Sequence, residues 1–425
     1  MASGPLNGIR ILEFGQIIAG PLGCQLLADL GAEVVKVEPP EGEPWRLNVQ
    51  FMPHESKVFQ ELNRGKRSLA IDLSQPEGRE AVHRLVRTMD VVVINYRPDV
   101  AERLGIDYET LSAIRPDLVY VDSTAFGRKG AMADRPGYDI VIQAVSGLMA
   151  TTGKVDERGL PIVTPPALAD TTTGYAIAAG VCAALFHRAM TGQGQRVETS
   201  LLINALTIQA GGSWSFSSLP AADARERARL AALHERARAE GMSYAELLAA
   251  RSAALRPVGN IYYRCFLTSD GVIAVGALSA SLRAKVRAVL GVEHNRDEPG
   301  YDPWDPGQQE ADRKLIALVE QKIRARSTEY WERTFEAGGV PVSPVNFVQE
   351  LIDHPQLLAN DYVVKLNHEL SGPQWLAAPP WKMSVTPPQP QGASPPLGRD
   401  TDAVLASAGY SAGQIEALRR AGVVR

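Results

Sequence analysis

Through its first 125 residues the chain keeps changing period. Short apolar runs alternate with helical spacings, and Gly or Pro stands at most of the switches. Ile9–Phe14 reads as a strand and is followed by Gly15, Gly20 and Pro21; Leu22–Leu30 reads as a helix that Gly31 ends. Val34–Val37, Leu69–Leu73, Asp90–Asn95 and Leu118–Ser123 read as four more strands, with helical spacing over Gln75–Met89 and Asp99–Arg115. Strands alternating with helices imply βαβ units and an α/β fold with a mainly parallel sheet. Ligands of such sheets sit at the carboxyl ends of the strands.

The rest of the chain changes character. Residues 171–210 predict one or two helices rich in Ala and Leu, with a turn at Gly192 and Gly194. Residues 221–255, dominated by Ala, Arg and Glu, predict a solvated helical pair. A hairpin is expected over 259–278, turning at Ser269-Asp270-Gly271; a helical stretch over 312–338 then leads through Gly338-Gly339-Val340-Pro341 into a strand. Residues 372–398 are rich in Pro and read as an extended connector, and Asp400–Arg420 as mostly helical. The expected division is 1–210 for the N-terminal part of a large domain, 211–258 for a helical linker, 259–371 for a small domain, and 372–425 for a connector and helix returning to the large one.

Composition removes several function classes. Lys and Arg number 44 against 48 Asp and Glu, a net charge of −4, so nucleic acid is not an expected partner. Three scattered cysteines, Cys24, Cys182 and Cys265, form no CxxC and fit a reducing cytosol. The opening lacks a basic region before an apolar core, so no signal peptide is expected. The best uncharged apolar stretch, Tyr175–Phe186, is short for a span of ~20 residues, so no membrane is expected either and the location read is cytoplasmic. Seven histidines show no HxH or HExxH spacing, and no metal is expected. Elbow, Walker and dinucleotide-binding glycine motifs are absent from the sequence.

Four places carry chemistry. The basic turn Asn63-Arg64-Gly65-Lys66-Arg67-Ser68 precedes a strand, and Asn95-Tyr96-Arg97-Pro98 follows one, with Arg103 further on. Each is either a phosphate site or a solvated basic turn. Arg135-Pro136-Gly137-Tyr138-Asp139 opens a helix. In Ala169-Asp170-Thr171-Thr172-Thr173-Gly174 an acid precedes a helix, where capping is the ordinary role of an aspartate.

These places resemble the class III CoA-transferases, the family of formyl-CoA transferase and the carnitine CoA-transferase. The resemblance runs nearly the full length. It includes Gly8-Ile9-Arg10-Ile11-Leu12-Glu13-Phe14, Ala19-Gly20-Pro21, Leu27–Glu38, Asn63-x-Gly65-Lys66-Arg67-Ser68, Asn95-Tyr96-Arg97-Pro98, Ser146-Gly147-Leu148-Met149, Thr191–Val197 and Pro395-Pro396-Leu397-Gly398. It implies a large Rossmann-like domain, a smaller α+β domain, and an interlocked homodimer whose active site closes against the partner's small domain. It implies acyl-CoA and a small carboxylic acid as substrates, with Asp170 as the covalent nucleophile. For coenzyme A it implies Ile18 and Ala19 near the thioester, and Ile71, Asp72, Leu73 and Ser74 along the adenine. Arg97 and Arg103, after Asn95 and Tyr96, fall near the phosphates, and Pro136, Gly137, Tyr138 and Asp139 beside the pantetheine.

The sequence also departs from formyl-CoA transferase. Ile18 stands where that enzyme has glutamine, Pro39 stands where it has a basic residue, and no glycine-rich lid follows Arg256-Pro257-Val258-Gly259. A 2-methylacyl-CoA racemase shares the family fold and is the alternative reading. Racemases carry a histidine in a Gly-His-Asp triplet; here the triplet is Gly137-Tyr138-Asp139, and a tyrosine of ordinary pKa ~10 is a poor base at neutral pH.

Overall fold

The computed structural model describes residues 4–209, 220–255 and 257–425. The elements follow in chain order. β1 (Arg10–Phe14), α1 (Ala19–Asp29), β2 (Glu33–Glu38), α2 (Pro44–Leu47), α3 (Lys57–Leu62) and β3 (Arg67–Ala70) come first. Next are α4 (Pro76–Val86), β4 (Val91–Ile94), α5 (Pro98–Leu104), α6 (Tyr108–Ile114), β5 (Val119–Thr124), α7 (Asp139–Val145), α8 (Leu148–Thr152), α9 (Leu168–Thr191), β6 (Gln195–Ser200) and α10 (Leu201–Thr207). After them lie α11 (Pro220–Glu240), α12 (Tyr244–Leu255), β7 (Tyr263–Leu267), β8 (Val272–Gly276), α13 (Ala280–Leu290), α14 (Pro306–Arg324), α15 (Thr328–Ala337) and β9 (Val342–Pro344). A 3₁₀ turn, Val348–Asp353, leads to α16 (Pro355–Ala359), β10 (Val363–His368), β11 (Gly372–Ala377), α17 (Thr401–Ser407) and α18 (Ala412–Arg420).

Two compact units result. One comprises Met1–Lys154, Pro161–Phe216 and Pro355–Arg425; the other comprises Val155–Leu160 and Ser217–His354. The first is built on a six-stranded sheet in the order β3-β2-β1-β4-β5-β6, parallel throughout. Its inner strands are mainly apolar on both faces because helices cover both. Leu12, Phe14, Val35, Val92, Ile94 and Tyr120 face α4, α6, α17 and α18, whereas Ile11, Val34, Val91, Val93, Val119 and Val121 face α1 and α9. The strand order reverses between β1 and β4, so their carboxyl ends frame the crevice where ligands of this architecture bind. In the second unit, β7-β8-β9 is antiparallel and packs on α13, α14 and α15 around Ile273, Val286, Val319, Ile323 and Phe335.

Against the sequence reading, β3 sits two residues early, over 67–70, and the spans over 99–115 and 312–338 each break into two helices. The breaks are capped: Asp107 accepts from Thr110 N–H, and Ser327 from Tyr330 N–H. Three strands escaped the reading. β6, with the sequence QRVETS, is a half-exposed strand at the sheet's edge with a single large apolar residue, so it shows no period of two. The antiparallel pair β10–β11 lies partly in the stretch read as an extended connector, because Gly372 and Pro373 mask its start. The expected boundary at 210–211 lies outside the described residues, as does Arg256. α9 is the one helix among the described residues that is long and apolar enough, by length and composition alone, to cross a membrane; half of its apolar window is buried.

The basic turn before β3 serves the fold. Arg64 is buried and grips Asp29 through two hydrogen bonds of 3.1 and 2.6 Å while donating to the Ala377 carbonyl at 2.5 Å. Lys66 is buried on Glu13 at 2.7 Å. Neither is available to a phosphate, and Arg67 pairs with Glu33 at 2.6 Å. Removing one member of a buried pair strands the other charge. Arg64→Ala is therefore expected to destabilise the fold by about 3–5 kcal/mol in urea unfolding. A variant of unchanged stability with weakened acyl-CoA binding would return Arg64 to a ligand role.

Candidate active site

β1 ends at Phe14 and the chain turns over Gly15–Ile18 into α1. Side chains grip this turn at four backbone groups. Asn95, just past β4, accepts from Gln16 N–H at 3.1 Å and donates to the Gln16 carbonyl at 2.9 Å. Lys36 donates to the Gly15 carbonyl at 2.7 Å, and Glu43 accepts from Ile17 N–H at 2.9 Å. Ile17 is held at φ 71°, a left-handed conformation that costs a β-branched residue on the order of 1–3 kcal/mol. α1 then begins without a side-chain cap. Its leading amides at Ala19 and Gly20 have no acceptor among the described residues, as expected of a first helical turn.

α9 brings Asp170 to the same crevice. α1 and α9 touch at two glycines: a Cβ on Gly23 would stand 2.7 Å from Ile177 Cγ2, and one on Gly174 would stand 2.9 Å from Leu22. The close contact seats the first turn of α9 beside the start of α1. Asp170 lies inside that turn, with Ala167 at the capping position, so the capping role open to it in the sequence falls elsewhere. Asp139 takes it across 30 residues: one carboxylate oxygen accepts from Ala169 N–H at 2.9 Å and from Asp170 N–H at 3.2 Å, and the other from Gln143 at 2.5 Å. The Asp170 carboxylate accepts no hydrogen bond among the described residues, although only 9% of the residue is exposed. Burial, with the Asp139 carboxylate adding to it, pushes its pKa up to about 7.

A cleft opens over Asp170, with apolar and polar groups both in its lining. Of the residues named from the sequence, Ala19, Asn95, Tyr96, Arg97, Gly137, Tyr138 and Asp170 line it. Ile18, Pro136 and Arg103 are outside its lining; Arg103 is exposed on α5. Ile71 is a core residue at 1% exposure, and Asp72 spends its carboxylate on Ser74 N–H and Gln75. Ile71–Ser74 thus lie outside the cleft's lining, at the carboxyl end of β3 on the same edge of the sheet. Asp139 is buried and its oxygens are committed to α9 and Gln143, so a part in ligand contact passes to its neighbours.

The sequence reading missed Gln16, Ile17, Ser123, Thr124, Ala125 and Leu201, which also line the cleft. The signal for Gln16 and Ile17 was their place between a strand end and Gly20; for Ser123–Ala125 it was the end of β5. Arg135, singled out as part of a turn but given no role, lines the cleft as well. No group of three or more His, Cys, Asp or Glu side chains able to hold a metal occurs among the described residues.

Comparison with known proteins identifies the family. The model of CoA-transferase family III matches residues 6–401. The chain is 32% identical over 420 residues to a succinate–glutarate CoA-transferase of Agrobacterium fabrum, covering 95% of each. It is 30% identical over 423 residues to the succinyl-CoA:glutarate CoA-transferase of Homo sapiens, covering 99% of this chain and 90% of that one. A CAIB/BAIF family protein from Brucella suis has a similar solved structure, with a TM-score of 0.73 at 28% identity over 96% of this chain and all of that one. The chain belongs to CoA-transferase family III.

Proposed function

We propose that this protein is an acyl-CoA:carboxylate CoA-transferase that works through covalent intermediates on Asp170. One observation carries the reading: a nearly buried carboxylate without a hydrogen bond stands at the strand-order switch point of a parallel sheet, beside the uncapped start of α1. An Asp170 oxygen attacks the thioester carbonyl carbon, the C–S bond breaks, and CoA thiolate leaves a mixed anhydride. The thiolate attacks the Asp170 carbonyl carbon, freeing the donor acid and leaving an aspartyl-CoA thioester. The acceptor carboxylate attacks that carbon, expelling the thiolate, which then takes the acceptor's acyl carbon and restores Asp170. No net proton, metal or redox step is needed. The leading α1 amides suit the oxyanion that forms at each attack.

Arg97 and Arg103 are assigned to the CoA phosphates; both are exposed beyond β4, and among the described residues Arg97 pairs only with exposed Asp99 at 3.0 Å. Arg135 forms no ion pair among the described residues, so it is the cleft cation open to a second carboxylate. Relatives named for succinate, glutarate and mesaconate support dicarboxylic substrates. An interlocked homodimer and a cytoplasmic location belong to the same reading. Phe186 and Met190, each 71% exposed on α9, support a covering second copy.

The test mixes acyl-CoA donors with mono- and dicarboxylates and looks for new thioesters by mass spectrometry. Asp170→Ala is expected to lose ~10⁴-fold or more in rate. A variant with near-normal turnover would exclude the covalent route. In D₂O, a 2-methylacyl-CoA that gains α-deuterium faster than CoA exchanges would favour the racemase.

The raised pKa of Asp170 has two opposite consequences. Only the carboxylate attacks, so kcat/KM should climb with pH and level off above about 7. Stability should move the other way. Between about pH 4 and 7 the native state keeps a proton that the unfolded chain has released, so folding weakens as pH rises, by about 4 kcal/mol at most. Asp170→Asn should therefore unfold at a higher temperature than the wild type at pH 8 and at the same temperature at pH 4. Equal melting at both pH values would show that burial does not strain this carboxylate.

A further inference from the structure

Four charges lie buried under the β1–α1 turn. Glu13, Lys36, Glu43 and Lys66 are each at most 2% exposed. Lys36 stands 3.2 Å from Glu13 Oε1 and 3.2 Å from Glu43 Oε1, and Lys66 stands 2.7 Å from Glu13 Oε2. Two cations thus balance two anions, a pairing that buried charge requires. The layer reaches backbone groups at four points, besides the Asn63 side-chain oxygen that Lys66 holds at 2.8 Å. Lys36 holds the Gly15 carbonyl, Lys66 the Pro21 carbonyl at 2.9 Å, and Glu43 Oε2 the amides of Ile17 at 2.9 Å and Trp45 at 3.3 Å. Gly15, Ile17 and Pro21 bracket the start of α1. A buried ion layer is weak as a source of stability, since well-packed apolar residues would serve as well. Here it ends on the one cleft-lining residue with a strained backbone, Ile17.

We propose that Glu43 is a positioning residue for CoA transfer. Its carboxylate, seated on Lys36, clamps the Ile17 amide and holds the strained turn that aims the leading α1 amides at the thioester carbonyl beside Asp170. Glu43 touches no substrate. Without the clamp, Ile17 relaxes toward negative φ and the amides leave the reacting carbonyl. This inference rests on the transferase reading above.

The experiment compares wild type, Glu43→Gln, Glu43→Ala, and each Glu43 variant combined with Ile17→Gly, using succinyl-CoA as donor and glutarate as acceptor. Glu43→Ala should lower kcat by about 10²–10³-fold, the scale of losing one oxyanion donor, with the succinyl-CoA KM changed less than about threefold. Glu43→Gln keeps an acceptor for Ile17 N–H but not the charge facing Lys36, and should fall between. Glycine adopts φ 71° without strain, so Ile17→Gly should return at least tenfold of the lost kcat in either background. If Glu43→Ala does not fold, the Glu43→Gln pair reads the same rescue. A kcat near wild type in the Glu43 variants, a loss confined to KM, or no rescue by Ile17→Gly would overturn the proposal. Failure of the transferase reading shows separately, as a wild type whose CoA exchange survives Asp170→Ala.

Discussion

The contact between α1 and α9 decides where the Asp170 carboxylate stands. Both helices lie on one face of a parallel sheet, and they approach so closely that Gly23 and Gly174 have no room for a side chain. A Cβ at either position would drive the helices apart and move the first turn of α9, with Asp170, away from the end of β1. The sheet supplies the other half of the arrangement. Because the strand order reverses between β1 and β4, their carboxyl ends part at this edge and leave a crevice that side chains do not fill.

In this unit charge is divided between structure and the cleft. The network of Glu13, Lys36, Glu43 and Lys66, and the separate pairs Arg46–Glu38 at 2.6 Å and Arg64–Asp29, are closed within the fold. They fix turns and chain crossings. Asp139 is likewise occupied, capping α9. Asp170 lines the cleft and accepts no hydrogen bond among the described residues, and burial, with the Asp139 carboxylate adding to it, pushes its pKa up to about 7. A poised, poorly solvated carboxylate suits the nucleophile role proposed for it.

Much of this was legible in the residues. The parallel sheet could be read because its inner strands are buried on both faces and so appear as mainly apolar runs, as in VVVI at 91–94. Edge strands such as QRVETS carry no such signal, since one face and one edge meet solvent. The place of Asp170 was readable from its motif, but its environment was not. The cap that frees it comes from Asp139, and no local pattern links two acids 31 positions apart. The basic turn at Asn63–Ser68 looked suited to phosphate because sequence shows charge without showing its partner; Asp29 and Glu13 supply the partners through the fold.

The central claim is that the carboxylate of Asp170 enters and leaves covalent bonds in every turnover. By the proposed route the acceptor's carboxylate attacks the aspartyl-CoA carbonyl carbon and the thiolate then takes the acceptor's acyl carbon, which leaves one acceptor oxygen on Asp170. The decisive measurement runs turnover with an acceptor acid labelled with ¹⁸O in its carboxylates and then determines, by peptide mass spectrometry, the mass of the segment containing Asp170. The account predicts that this peptide gains heavy oxygen, that the label resides on Asp170, and that no other peptide gains it. Full CoA exchange with an unlabelled Asp170 would contradict it.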